Sequence, residues 1–232
     1  MECKFFFDVM SPYTYFAFQV LKGYRQIWGL NVEFIPFFLG GAMNETGNAP
    51  PATVPARAVF LSHDLKRNAK WFNVAAFKNM PDNFFTDVYK LSIGVNRLLS
   101  IVCADSAVSV EAKWRIVDAA FHIIWESERY RSGSLFVVKP FAEIVNDLIT
   151  LSGDKAVIQS AAAAVESMGK ERLKANTTIV VESGGFGSPI FQFPNSVDTN
   201  IFFGSDRFEQ IAHVLGKPWF GPSPGTPSRS KL

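Results

Sequence analysis

Residues 1–38 contain the pattern that most constrains how this chain can fold. Residues 4–9 form a short run rich in aromatic β-formers, which predicts a buried strand. Ser11 and Pro12 follow as a good N-cap and a favourable first helical residue, and apolar side chains at helical spacing continue to Gly29. A second strand is predicted at residues 31–38. Strand, helix and strand in so short a stretch predict a βαβ unit with parallel strands.

The middle of the chain has the pattern of a helical block. Helices are predicted at residues 54–70, 83–104, 109–128, 136–151 and around 161–164. One segment, residues 177–182, contains Thr, Ile and Val, which favour a strand. Its length and the preceding residues 170–176 favour a helix instead, and a helix is what we predict there.

The end of the chain returns to a mixed pattern. Two short strands and a helix are predicted at residues 188–193, 200–203 and 205–215. The order βαβ, helical block, ββα predicts an α/β fold in which a thioredoxin-like domain holds an inserted all-helical domain. We place the thioredoxin-like domain at residues 1–53 plus 184–232 and the insertion at residues 54–183.

Composition excludes several classes of function. Hydrophobic residues make up 48% of the 232 and charged residues 19%, as in globular proteins with a sizeable core. A net charge of +2 is too small to indicate nucleic acid or an anionic membrane as a partner. Cys3 and Cys103 have no metal-ligand spacing, so we expect no metal site and a reducing compartment. The longest apolar stretch, residues 34–43, is much shorter than the roughly 20 residues of a membrane span.

The last three residues match a targeting signal. Ser230, Lys231 and Leu232 spell the tripeptide SKL, which a peroxisomal import receptor recognises, and they follow a tail rich in Pro and Gly. We predict a peroxisomal matrix location with that receptor as a partner. Two alternatives stay open: the tripeptide is an accidental polar tail, or the protein is also located in the cytosol or in mitochondria.

Several stretches together resemble one known family along nearly the whole chain. They are DVMSPYTYFAF at residues 8–18, IWGLNVEF at 27–34, GGAMNETGNAPP at 40–51, HDLK at 63–66, GGFGSP at 184–189 and FFGSDR at 202–207. These motifs are similar to those of the kappa-class glutathione transferases. The resemblance implies a detoxifying enzyme, usually a homodimer, with glutathione as co-substrate and no tightly bound cofactor. Disulfide oxidoreductases of the bacterial periplasm and 2-hydroxychromene-2-carboxylate isomerases are similar too.

The candidate catalytic residue is Ser11. Ser11, Pro12, Tyr13 and Thr14 stand where a thioredoxin-fold oxidoreductase holds its CxxC pair, so no redox dithiol is present at that position. A free thiol has a pKa of ~8.5 and is mostly protonated at neutral pH. A serine hydroxyl that donates a hydrogen bond worth about 1.5 to 3 kcal/mol to the sulfur lowers that pKa by about one to two units. The alternative is that Ser11 only caps the helix.

The resemblance also implies a glutathione-binding set. Its members are Ser11, Pro12, Tyr13, Asn48, Ser188, Pro189, Ser205 and Asp206. The step from Ser188 to Pro189 is similar to the cis-proline of thioredoxin-like folds, whose preceding residue pairs through its main chain with the cysteinyl part of glutathione. Relatives commonly carry an apolar residue at the position of Ser188, so this chain departs from the pattern there.

The polar ends of glutathione have their own predicted partners. Ser205 is expected to begin the terminal helix and bind the γ-glutamyl carboxylate, and Asp206 is expected to bind the neighbouring ammonium group. Asn48 offers a donor and an acceptor to the ligand backbone. Weaker candidates for the ligand ends, directly or across a dimer interface, are Arg57, Asp64 and Arg207.

These residues predict a glutathione transferase that conjugates the thiolate to hydrophobic electrophiles, with reduction of lipid hydroperoxides as a further activity. Apolar residues of the insertion are expected to line the electrophile site. Two alternatives stay open: a glutathione-dependent isomerase of the 2-hydroxychromene-2-carboxylate type, and a non-catalytic thioredoxin-like binding module. An isomerase returns free glutathione, and a binding module shows no turnover.

Overall fold

A computed structural model describes residues 1–224 of the protein. Its strands, in chain order, are β1 (Glu2–Phe7), β2 (Asn31–Pro36), β3 (Arg131–Ser132), β4 (Leu135–Phe136), β5 (Ile190–Gln192) and β6 (Ile201–Phe203). Four of them form a sheet in the order β2-β1-β5-β6, in which β1 and β2 are parallel and the other pairs are antiparallel. The predicted βαβ unit and the two later strands are therefore confirmed, within a thioredoxin-like sheet.

Helices make up most of the remaining structure. They are α1 (Pro12–Tyr24), α2 (Leu39–Thr46), α3 (Pro55–Trp71), α4 (Tyr89–Ala104), α5 (Val110–Trp125), α6 (Phe141–Ser152), α7 (Lys155–Ala163), α8 (Lys170–Glu182) and α9 (Phe208–Val214). Single π-helical turns at Phe84–Val88 and Val165–Gly169 lead into α4 and α8. The helix predicted over residues 177–182 is confirmed as the end of α8, whereas α2 was not predicted.

Helix α1 begins where the sequence predicts it. The Ser11 hydroxyl oxygen accepts the backbone N–H of Thr14 at 3.2 Å, and Pro12 occupies the first helical position. Both features satisfy or remove amide donors that the first turn of a helix leaves without partners. Nine of the 13 residues of α1 are buried, so this helix lies inside the fold and holds Ser11 on a rigid element.

The insertion is mostly helical and contains one small hairpin. Strands β3 and β4 pair through Arg131 opposite Phe136, around a turn in which Gly133 has a φ of +58°. The ring of Phe136 stacks on Tyr130 with centroids 5.7 Å apart, and the Arg131 guanidinium lies over Phe136. The predicted helix start at residue 136 is therefore wrong, because Phe136 is buried in this hairpin. Helix α6 begins only after Pro140.

Aromatic side chains join the insertion to the sheet. The ring of Phe121 in α5 lies 5.9 Å from Phe7 of β1 and 5.0 Å from Phe18 of α1, measured between centroids. Trp114, also in α5, makes an edge contact with Phe34 of β2 at 4.8 Å. One core thus extends through both predicted parts of the chain. The domain division at residues 54 and 184 stays a prediction.

The last described residues cross the carboxyl-terminal end of α1. The Trp28 indole N–H donates to the carbonyl of Pro218 at 2.8 Å, and the Tyr24 hydroxyl donates to the carbonyl of Gly221 at 2.8 Å. The chain is anchored as far as Pro224, which packs on Gly23. The tripeptide at residues 230–232 lies outside the described residues. Among residues 1–224, no helix is long and apolar enough to cross a membrane.

Both cysteines lie inside the core, and this gives a test of the fold. Burial raises the pKa of Cys103 to about 12 and raises that of Cys3 further. Since the thiolate is the reactive form and its fraction falls as the pKa rises, both thiols are neutral at pH values near 8. We expect iodoacetamide to leave both cysteines unmodified in the native protein and to alkylate both in denaturant, as measured by intact mass. Rapid alkylation of the native protein would contradict the buried positions.

Candidate functional site

A cavity of about 520 Å³ opens beside the beginning of α1. Five of the predicted site residues line it: Ser11, Pro12, Tyr13, Asn48 and Ser188. Most of the rest of the lining is apolar, and much of it comes from the insertion: Leu61, Met80, Phe84, Phe85 and Tyr89. The predicted apolar lining is thus present, and its role as an electrophile site stays a prediction. The sequence did not predict which side chains line the cavity, because apolar residues at helical spacing are equally typical of the core.

Ser11 holds two hydrogen bonds that use different parts of its hydroxyl group. The oxygen accepts the Thr14 N–H at 3.2 Å, and the hydroxyl donates to the carbonyl of Ser188 at 3.3 Å. Capping of the helix thus uses only a lone pair of the Ser11 oxygen. The hydroxyl proton points at the Ser188 carbonyl, which can also accept a hydrogen bond from a bound peptide group. The two interpretations of Ser11, cap and thiol-activating donor, therefore do not exclude each other.

The peptide bond between Ser188 and Pro189 is cis, which confirms that prediction. The Ser188 hydroxyl is bonded to the Thr14 hydroxyl at 2.7 Å and accepts the backbone N–H of Asp8 at 3.2 Å. Both partners belong to the protein interior, so the polar side chain at this position is already engaged. Pro189 does not line the cavity; its carbonyl accepts the N–H of Gly204 at 3.1 Å.

Asn48 bridges two loops at the cavity wall. Its amide nitrogen donates to the carbonyl of Phe186 at 2.7 Å, and its amide oxygen accepts the N–H of Ala49 at 2.8 Å. The ring of Phe186 in turn contacts Phe203, with centroids 4.7 Å apart. Asn48 thus fixes the position of the Phe186 loop, which continues into Ser188.

The predicted placement of Ser205 and Asp206 at the start of the terminal helix is wrong. Helix α9 begins at Phe208, with Arg207 as its cap residue and no side-chain cap. Gly204 has a φ of +109°, a conformation that other residues rarely adopt, and the chain turns through residues 205–207 before the helix starts. Ser205 is buried and Asp206 exposed, and neither lines the cavity.

Charged groups near the cavity are few. Among the described residues that line it, Arg57 is the one with a charged side chain. The Tyr13 hydroxyl donates to the carboxylate of Asp64 at 2.7 Å and so ties α1 to α3. Burial, the bond to Asp64 and the charge of Asp206 all raise the pKa of Tyr13. The phenol is therefore a neutral donor, and Asp206 lies close enough to act on it electrostatically.

A buried polar cluster lies behind Ser11, and sequence analysis missed it. It consists of the Asp8 carboxylate and the Asn96 amide, which are bonded at 2.6 Å. Asp8 lies in the predicted strand at residues 4–9 and Asn96 in the predicted helix at residues 83–104, and no spacing signal connects the two. No group of three or more metal-ligating side chains occurs within residues 1–224.

Comparisons with known proteins agree with this architecture. Residues 2–216 match the family of DSBA-like thioredoxin domains. The chain is 32% identical to glutathione S-transferase kappa 1 of Caenorhabditis elegans, over 98% of this chain and 96% of that protein. Human glutathione S-transferase kappa 1 is 29% identical over 95% and 93%. Among solved structures, a 2-hydroxychromene-2-carboxylate isomerase aligns with a TM-score of 0.72 at 19% identity, over 93% of this chain and 95% of that one.

The family follows from these matches and from the geometry together. The isomerase, at 19% identity, shows a shared fold. The curated relatives match nearly the full length of the chain, and Ser11 lies at the start of α1 beside a cis-proline, within a DsbA-like architecture that contains no CxxC. The chain therefore belongs to the DsbA-like thioredoxin family and, within it, to the kappa class of glutathione transferases.

Proposed function

We propose that this transferase binds glutathione along the Ser188 segment and conjugates its thiolate to hydrophobic electrophiles. The observation that supports this most directly is the Ser11 hydroxyl, whose proton faces a main-chain carbonyl at the edge of an apolar cavity. Glutathione would bring its sulfur to that proton and its cysteinyl amide to that carbonyl. The chemical step forms a carbon–sulfur bond, while a halide leaves or an unsaturated carbonyl takes up a proton.

The Ser11 hydroxyl acts on the thiol through one hydrogen bond. Its proton turns from the Ser188 carbonyl to the sulfur, and its oxygen continues to accept the Thr14 N–H. The partial positive charge at the start of α1 adds to the stabilisation of the thiolate. Ser11 does not become covalently attached to either substrate.

The remaining contacts of glutathione follow from charge. Arg57 carries the positive charge within the cavity and suits a carboxylate of the tripeptide. Asp206 is exposed near Tyr13 and suits the γ-glutamyl ammonium group, with Ser205 beside it. Asn48 holds the Phe186 loop against the ligand backbone. The aromatic and methionine side chains of the cavity then receive the electrophile or a lipid hydroperoxide.

The isomerase interpretation has one specific support, the structural neighbour with a TM-score of 0.72. Product analysis separates the two functions, since an isomerase regenerates free glutathione and a transferase consumes it. The curated relatives named glutathione S-transferase favour conjugation.

We further propose that the protein forms a homodimer and is located in peroxisomes. The exposed Val59, Phe60 and Trp71 of α3 support a homodimer, because large apolar side chains grouped on one helix are typical of protein contacts. The tripeptide at residues 230–232 supports import into the peroxisomal matrix.

The role of Ser11 is tested by Ser11→Ala. We expect the pKa of the bound glutathione thiol to rise by about one to two units, because one hydrogen bond to the sulfur is lost. Turnover at neutral pH then falls and recovers as the pH rises through the new pKa. Titration of the thiolate absorbance measures the shift. Ser109→Ala is the matched control, since Ser109 caps α5 in the same way at 3.2 Å. Equal titrations for wild type and Ser11→Ala would remove Ser11 from the mechanism.

The role of Asp206 is tested by Asp206→Ala. An exposed ion pair contributes roughly 0.5 to 1 kcal/mol, so we expect KM for glutathione to rise about two- to fivefold with kcat unchanged. Glu209→Ala removes an exposed carboxylate three residues away and serves as the control. Steady-state kinetics with a fast electrophile give both constants. A lower kcat at unchanged KM contradicts a purely binding role.

The targeting signal is tested by removing Ser230, Lys231 and Leu232. The anchoring bonds to Pro218 and Gly221 stay in the truncated chain, so we expect unchanged activity. An amino-terminally tagged full-length protein should appear in peroxisomes and the truncated one in the cytosol by fluorescence microscopy. Ser228→Ala keeps the tripeptide and should behave as wild type. Identical distributions of full-length and truncated protein would refute the targeting proposal.

A further inference from the structure

Asp8 is the most deeply buried charged residue near the candidate site. It is 1% exposed and follows β1 directly, three residues before Ser11. Its carboxylate oxygens accept three N–H groups: those of Met10 and Leu39, each at 2.9 Å, and the Asn96 side chain at 2.6 Å. Donors on both oxygens are the pattern that an ionised carboxylate makes.

The first consequence of this arrangement concerns the loop that leads to Ser11. The Asn96 amide oxygen accepts the Val9 N–H at 3.3 Å, and the Trp125 indole donates to the Val9 carbonyl at 2.9 Å. The Ser11 N–H donates to the Asp8 carbonyl at 3.0 Å. The insertion, through α4 and α5, therefore fixes the backbone immediately before Ser11.

The second consequence concerns α2. This helix has no side-chain cap of its own, since its cap residue is Phe38. Its first two amide donors are accepted from elsewhere: Phe38 N–H by the Thr177 hydroxyl at 3.0 Å, and Leu39 N–H by Asp8. Helix α2 contributes Leu39, Gly40 and Met43 to the cavity. Asp8 thus connects α2 to the Ser11 loop.

Keeping the Asp8 carboxylate in the protein interior costs free energy, because the charged form loses its contact with water. Burial raises the pKa of the Asp8 carboxyl, and the bonds from Met10, Leu39 and Asn96 oppose that rise. A buried charge with its partners is often no more stabilising than well-packed apolar residues of similar volume. A carboxylate kept here is therefore better explained by the precise placement of what it holds.

We propose that Asp8 is a positioning residue which, together with Asn96, holds the Ser11 hydroxyl in the geometry that thiolate formation requires, and which also ties the start of α2 to the Ser11 loop. This inference rests on the proposed function. It assigns to the insertion a part in activating glutathione as well as in lining the electrophile site.

The test uses Asp8→Asn with Thr177→Val as its matched control. Asp8→Asn keeps the shape of the side chain but replaces one carboxylate oxygen by an NH2 group. That group then faces an N–H donor and cannot accept its hydrogen bond. Thr177→Val removes an acceptor from the same end of α2 without touching the Ser11 loop. We expect the pKa of the bound thiol to rise by about one unit in Asp8→Asn, with about three- to eightfold less thiolate at neutral pH, and to stay unchanged in Thr177→Val.

The direction of the shift distinguishes positioning from charge. Removing a nearby negative charge by itself lowers the pKa of a thiol, so a rise in Asp8→Asn identifies a loss of placement. A lower thiol pKa, or an unchanged one with reduced stability to urea, overturns the proposal. If Asp8→Asn fails to fold, Asn96→Ser is measured instead, because it removes the bonds to Asp8 and Val9 and leaves the carboxylate in place.

Amide hydrogen exchange separates this inference from the proposed function. Asp8→Asn should accelerate exchange at Met10 and Leu39, while Thr177→Val should accelerate it at Phe38 only. Unchanged exchange at Met10 and Leu39 in Asp8→Asn overturns the positioning role, whatever the ligand. Wild-type protein that shows no glutathione thiolate refutes the proposed function instead.

Discussion

The candidate site depends on the contact between the beginning of α1 and the Ser188 segment. Two bonds make it: the Ser11 hydroxyl to the Ser188 carbonyl, and the Thr14 hydroxyl to the Ser188 hydroxyl. These partners are separated by 177 and 174 residues, so the contact exists only once β5 has paired with β1. The site therefore requires the folded sheet, because β5 carries the Ser188 segment to the beginning of α1.

Polar groups around this contact are buried but have partners. Asp8, Ser11, Thr14, Asn96 and Ser188 are all buried, and each makes at least one hydrogen bond within the set or to adjacent backbone. A buried polar group without a partner costs about 1 to 3 kcal/mol, whereas a satisfied cluster restricts the backbone to one arrangement. The Ser188 side chain belongs to this satisfied set, since its hydroxyl is bonded to the Thr14 hydroxyl and accepts the Asp8 N–H.

The cavity combines a rigid wall with an adaptable one. Ser11 and Ser188 are held by the sheet and α1, whereas Met10, Met43 and Met80 contribute unbranched thioether side chains. Methionine adapts to differently shaped apolar partners because its side chain is flexible and polarisable. This division fits the proposed function, in which one sulfur is placed accurately and electrophiles of various shapes are accepted. The tie from Tyr13 to Asp64 fixes α3, which carries Arg57, to the rigid side.

Local sequence patterns determined much of the secondary structure and the location of Ser11. The aromatic strand, the Ser-Pro helix start and the helical spacing of the insertion are short-range signals, and the motif around Ser188 and Pro189 indicated the second half of the site. Tertiary structure decided what depends on distant partners. Helix α2 begins with N–H donors that Asp8 and Thr177 accept, and the backbone of Phe136 in the hairpin is bonded to the side chain of Asn83, 53 residues away. The Asp8–Asn96 pair joins residues 88 positions apart, and no local pattern encodes such a contact because hydrogen bonding depends on distance in space.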